Sequence, residues 1–159
     1  MSLIGKEITE FEAQAFHKGE FKTIKKEDLL GKWNVLFFYP ADFTFVCPTE
    51  LEDLANKYEE FKKINYPMLA DPTAKLAKDL DVYIEADGLA ERGSFIINPE
   101  GKIVMYEVIA GNVGRNAEEL FRRVQASQFV YEHGDEVCPA KWKPGEATLK
   151  PSLDLVGSI

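Results

Sequence analysis

Two cysteines stand in the same tripeptide, Val46-Cys47-Pro48 and Val137-Cys138-Pro139, and the chain has no others. Sulfur reacts as thiolate, which is favoured where unpaired backbone N–H groups and the positive end of a helix face it. The residues around Cys47 have that arrangement. Residues 33–39, WNVLFFY, form a short, continuous, aromatic-rich run that predicts a strand buried on both faces. From Thr49 to Phe61 the apolar residues Leu51, Leu54, Tyr58 and Phe61 recur at helical spacing. Cys47 therefore falls on the turn between a core strand and a helix. Pro48 suits the first helical position, which makes Cys47 the cap; alternatively Thr49 caps and Glu52 completes a capping box. The competing reading is a buried structural cysteine, since free cysteine packs as a small apolar residue.

The elements that must hold this turn follow along the chain. Residues 94–97 (SFII) and 103–109 (IVMYEVI) flank Asn98-Pro99-Glu100-Gly101, whose proline and glycine sit at the second and fourth positions of a turn, so a hairpin is expected. Asn116 followed by Glu119 resembles a capping box, and Leu120, Phe121 and Val124 then line one face of a helix running to about Tyr131. Gly134 is the stop. From Val137 onward Pro139, Pro144 and Pro151 predict an extended arm. Strand, helix, hairpin, helix reads as an α/β sandwich.

Composition bounds the function. With 159 residues, 45% of them hydrophobic, the chain can bury one core, and the expectation is a single domain over 1–159 with 137–159 as an arm. The apolar run Val35–Tyr39 ends at Pro40, too short for a membrane span. The N-terminal residues MSLIGKEITEFEAQ show no secretory pattern, so a cytoplasmic protein is expected. In that reducing compartment two cysteines read as a reactive or cycling pair rather than a permanent staple. A net charge of -8 argues against nucleic acid as a partner, because phosphate binding needs a basic surface.

The stretch YPADFTFVCPTE resembles the peroxidatic motif of the typical two-cysteine peroxiredoxins, with Pro40, Thr44 and Cys47 at the motif positions. The ending EVCPAKWKPGEATLKPSLDLVGSI resembles the C-terminal arm of the bacterial branch, the alkyl hydroperoxide reductase C type. The resemblance implies a thioredoxin-like fold and reduction of hydrogen peroxide and small organic hydroperoxides. It makes Cys47 the sulfur that attacks peroxide and becomes a sulfenic acid. It makes Cys138 the resolving cysteine, closing an intersubunit disulfide with Cys47 of a partner chain. Thr44 would offer its hydroxyl to the peroxide, Pro40 would shield the pocket, Arg92 is the active-site arginine, and Glu50 and Arg115 form a supporting polar network. Without the resemblance, Thr44 would read as a turn hydroxyl, Pro40 as a strand terminator and Arg92 as a surface charge.

The same resemblance implies homodimers, assembling to a decamer, recycled by the flavoprotein component of alkyl hydroperoxide reductase or by thioredoxin. No cofactor is expected, since neither a GxGxxG nor a phosphate loop appears. No metal is expected either: Cys47, Cys138, His17 and His133 lack zinc-ligand spacing. A general thiol-disulfide oxidoreductase is disfavoured because Cys47-Pro48-Thr49-Glu50 has no second cysteine. Residues 87–90 read DGLA and nothing follows LVGSI, unlike members prone to overoxidation, so Cys47 is expected to resist sulfinic acid formation.

The chain departs from the family in one place. After the first helix the family continues with a core strand and a helix, a block of about 28 residues, the size of one such pair with its loops. Here YEEFKK runs directly into Ile64. The expectation is that numbering has been closed over residues the protein possesses, because losing a core strand would exceed the roughly 5–15 kcal/mol by which domains are stable.

Overall fold

A computed structural model describes residues 1–41, 45–57 and 67–153. The chain divides into two compact units, 1–117 and 118–159.

The first unit opens with a hairpin of β1 (Glu12–His17) and β2 (Glu20–Lys25). Its two-residue loop, Lys18 and Gly19, has φ of 54° and 86°, the left-handed pair that matches strand twist. A 3-10 turn (Lys26–Leu29) leads to β3 (Asn34–Phe37), followed by α1 (Cys47–Asn56) and β4 (Met68–Ala70). Then come α2 (Lys75–Asp79), the short pair β5 (Tyr83–Ile84) and β6 (Leu89–Ala90), and the hairpin of β7 (Arg92–Ile97) and β8 (Ile103–Ile109). The NPEG turn forms as expected: Gly101 N donates to Asn98 O at 2.9 Å, and the Asn98 side-chain oxygen accepts from Glu100 and Lys102.

Two three-stranded sheets result, ordered β2-β1-β4 and β3-β7-β8. β7 is buried along its whole length, and Phe95 within it stacks on Tyr106 and meets Phe38 edge-on. Those contacts, with Ile8, Phe11, Leu76, Leu80, Val82 and Ile103, make the core.

The expectation of a strand covered on both faces is therefore met by β7 and not by β3, in which buried and half-buried residues alternate. Among the described residues β3 has only β7 beside it, and β4 only β1. A cavity of ≈390 Å³ is lined by both, from Val35, Leu36 and Phe37 on one side to Met68 and Leu69 on the other. The junction between Phe61 and Ile64, like the end of the predicted first helix at Tyr58 and Phe61, lies outside the described residues.

α3 (Ala117–Glu132) starts at the last residue of the first unit and is the α-helix of the second among the described residues. The arm turns back on itself, with Val137 and Leu149 exchanging backbone hydrogen bonds. Trp142 is 2% exposed: its ring packs on Phe129 at 4.9 Å and its indole N–H donates to Glu146 O. Phe129 also stacks on His133, whose ring nitrogen lies 3.0 Å from the Phe129 carbonyl.

Candidate active site

The helix that carries Cys47 begins earlier than both capping expectations, by one residue if Cys47 were the cap and by three if Thr49 were. Val46 already has right-handed geometry (φ -92°, ψ -42°), and its carbonyl accepts from the backbone N–H groups of Thr49 and Glu50. Val46 is thus the cap, Cys47 the first helical residue and Pro48 the second, where its missing N–H costs nothing. Thr49 does not cap; its hydroxyl donates back to the Val46 carbonyl at 2.7 Å.

Cys47 is 1% exposed, and Arg92, at the start of β7, is 2% exposed. Arg92 Nη1 donates to Cys47 Sγ at 3.3 Å and to Glu50 Oε2 at 2.5 Å, while its Nε donates to Gly111 O. The guanidinium is therefore fixed from three sides. Glu50 lies one turn beyond Cys47 on α1 and is the hub. Arg115 reaches it through three donors: its backbone N and Nε to Oε1, both at 2.9 Å, and Nη2 to Oε2 at 3.1 Å. The remaining Arg115 nitrogen donates to Gly93 O and Ser94 Oγ, and the guanidinium lies 3.3 Å above the Phe37 ring. Burial alone would push the Glu50 carboxyl up. The hydrogen bonds from Arg115 and the charges of Arg115 and Arg92 outweigh it and hold the group below the usual carboxylate range.

This arrangement places one carboxylate between two buried guanidinium groups, leaving net positive charge beside the sulfur at a helix N-terminus. Such a site stabilises an anion at sulfur and on an oxygen bonded to it. Gly93, whose carbonyl accepts from Arg115, has no room for a side chain on its core side: a Cβ there would come 2.8 Å from Val82 and 2.9 Å from the Phe95 ring.

Of the residues expected from sequence, Cys47, Arg92, Glu50 and Arg115 are brought together. Pro40 is half-buried and lines the cavity between β3 and β4, whose wall includes neither Cys47 nor Arg92. Thr44 lies outside the described residues. Cys138 belongs to the second unit, half-buried, with its Sγ 3.9 Å from Ala126 O. Sequence reasoning missed the fixing groups: the carbonyls of Gly111 and Gly93, Ser94, and Asp53, whose carboxylate accepts from Ala117 N at 2.8 Å. Backbone acceptors leave no residue signature. Asp53, one turn after Glu50, had only its helical spacing as a signal.

The profile described as the AhpC/TSA family matches residues 4–66 and 62–106, and the one described as the C-terminal domain of 1-Cys peroxiredoxin matches 126–157. The first match breaks and resumes at the place where the strand-helix block is absent. Alkyl hydroperoxide reductase C of Bacillus subtilis (strain 168) is 47% identical, with all of both chains covered over 187 positions, against 159 residues here. The crystal structure of Enterococcus faecalis AhpC is also 47% identical, with a TM-score of 0.83 over 87% of this chain and 100% of that one. The reduced 2-Cys peroxiredoxin of Plasmodium vivax is 27% identical, with a TM-score of 0.86 over 97% and 96% of the two chains.

Proposed function

Because this chain belongs to the AhpC/TSA family of peroxiredoxins, with its thioredoxin-like fold, we propose that Cys47 is its peroxidatic cysteine and Cys138 its resolving one. The protein is a thiol-dependent peroxidase, an oxidoreductase that reduces peroxide. One observation carries the assignment of Cys47: a buried sulfur at the first position of a helix receives a hydrogen bond from an arginine that Glu50 holds in place.

The steps follow from charge. The Cys47 thiolate attacks the terminal oxygen of hydrogen peroxide or a small organic hydroperoxide, the O–O bond breaks, and water or alcohol leaves. Sulfur keeps the transferred oxygen as sulfenic acid. Negative charge moves from sulfur to the departing oxygen, so a donor fixed beside both is worth more in the transition state than in the ground state. Arg92 fills that role, with the Thr44 hydroxyl and the Cys47 backbone N–H as further donors. Glu50 and Arg115 position Arg92, and Pro40 excludes water. Cys138 of a partner chain then displaces hydroxide from the sulfenic sulfur, closing an intersubunit disulfide. That step requires at least a homodimer, and a decamer of five dimers is the assembly we infer. The flavoprotein component of alkyl hydroperoxide reductase, or thioredoxin, reopens the disulfide. A reducing cytoplasm suits such a cycle. Among the described residues no helix is long and apolar enough to cross a membrane.

Peroxide consumption by single-cysteine variants tests the two roles. With the reduced protein and no reductase, Cys138→Ser consumes one equivalent and stops with a sulfenic acid, whereas Cys47→Ser consumes none. Equal consumption by both variants would overturn the assignment.

A further inference from the structure

The second unit holds a charged group near Cys138 that the cycle above does not use. On α3, Arg122 and Ala126 are one turn apart and share a face. The Cys138 sulfur lies against the Ala126 carbonyl at 3.9 Å, and four residues on, the Trp142 carbonyl accepts from Arg122 Nη1 at 3.2 Å. The segment 138–142 therefore runs back along one turn of helix, with the Arg122 guanidinium beside it. Glu119 fixes that guanidinium from the other side, accepting from Nε at 2.7 Å and Nη2 at 2.8 Å. Trp142, locked by Phe129 and by its own bond to Glu146, prevents the segment from sliding.

We propose that Arg122 is a positioning residue for the resolving step, its guanidinium held beside Cys138 so that the attacking thiolate is favoured. The proposal rests on the reading of Cys138 as the resolving cysteine. In that step the Cys138 thiol gives up its proton and its sulfur bonds to the sulfenic sulfur of Cys47. The S–O bond breaks, and hydroxide takes up a proton to leave as water. The oxidation state gained by the pair is the one peroxide had already conferred on Cys47.

The thiol needs such help. Burial pushes Cys138 above the ordinary thiol range, and the negative charge of Glu136 on the arm adds to that. Arg122, from α3, pulls in the opposite direction. Glu136 is itself bonded to the Thr148 hydroxyl. These are the charged groups acting on the sulfur, and Arg122 is the favourable one.

The experiment compares Arg122→Met with Arg122→Lys. In a Cys47→Ser background, the pH dependence of Cys138 alkylation by iodoacetamide reports its ionisation directly. We expect Arg122→Met to move the midpoint up by about one pH unit, and Arg122→Lys to stay near the parent. In the two-cysteine protein, disulfide formation after one equivalent of peroxide slows about tenfold at pH 7 in Arg122→Met and converges with the parent at high pH. The rate of Cys47 oxidation is unchanged. An unmoved midpoint overturns the proposal, including the case where disulfide formation is slowed equally at every pH, because that pattern means Arg122 only supports the arm. Failure of the underlying reading is separately visible: a Cys138→Ser protein would still form the disulfide-linked dimer.

Discussion

Arg92→Ala is expected to slow peroxide reduction about 100- to 1,000-fold, the loss seen when one fixed donor is removed from a developing oxyanion. Ionisation of the thiol cannot account for so much. A free thiol near pKa 8.5 is a few per cent ionised at pH 7, so full ionisation gains about thirtyfold, or about 2 kcal/mol. The gain shrinks further because a more acidic thiolate is a weaker nucleophile. The rest must come from donors aimed at the O–O bond, and Arg92 Nη1, 3.3 Å from Cys47 Sγ, is one fixed in place. Stopped-flow measurement of peroxide reduction at rising pH separates the two contributions. If the rate of Arg92→Ala returns to that of the parent once the thiol is fully ionised, the guanidinium acts only on ionisation and this division fails. Arg92→Lys retains the charge but lacks the fork that spans Cys47, Glu50 and Gly111, so an intermediate loss is expected.

Glu50→Ala is expected to cost about 3–5 kcal/mol of stability, because it strands two buried guanidinium groups without their carboxylate. For a chain of this size that lowers Tm by roughly 10 °C, which differential scanning calorimetry reads directly. A shift of less than two or three degrees would mean that water or another group replaces the carboxylate. The pH dependence has a definite sign. The folded carboxyl titrates below its unfolded value, so the contribution of Glu50 is complete above about pH 4.3 and is lost as pH falls through the folded value. Acid should therefore narrow the stability gap between the parent and Glu50→Gln, and neutral pH should widen it.

The parts of the fold that were legible in sequence are those with strong local chemistry. Asn98-Pro99-Glu100-Gly101 specified its turn, and Leu120 and Val124 specified the buried side of α3. The hairpin of β1 and β2 was missed although Ala13 and Ala15 alternate with exposed Glu12 and Gln14. Its buried residues are small, and its large ones, Phe16 and Phe21, are exposed and meet each other at a tilt, ring centroids 5.2 Å apart. β4, β5 and β6 are two or three residues long, too short for periodicity to register. Continuous apolar character in residues 33–39 pointed to burial on both faces, but coverage depends on what lies across the sheet, and residues 34–37 instead line a cavity.

At the site, a motif located Cys47 and resemblance supplied Arg92, Glu50 and Arg115, but spacing did not dictate their contacts. Glu50 and Arg115 are 65 positions apart, and their ion pair exists because α1 and the segment after β8 meet beside β7. The capping error at Val46 has a similar origin. Proline after Cys47 suggested a later helix start, yet the backbone at Val46 was already helical.

The most direct test is peptide mapping by mass spectrometry, with a non-reducing gel, after one equivalent of hydrogen peroxide is added to the fully reduced protein. The expected product is a dimer whose single cross-link joins Cys47 of one chain to Cys138 of another. A monomer with both thiols intact would mean that the site lacks peroxidase chemistry, whatever family the chain belongs to.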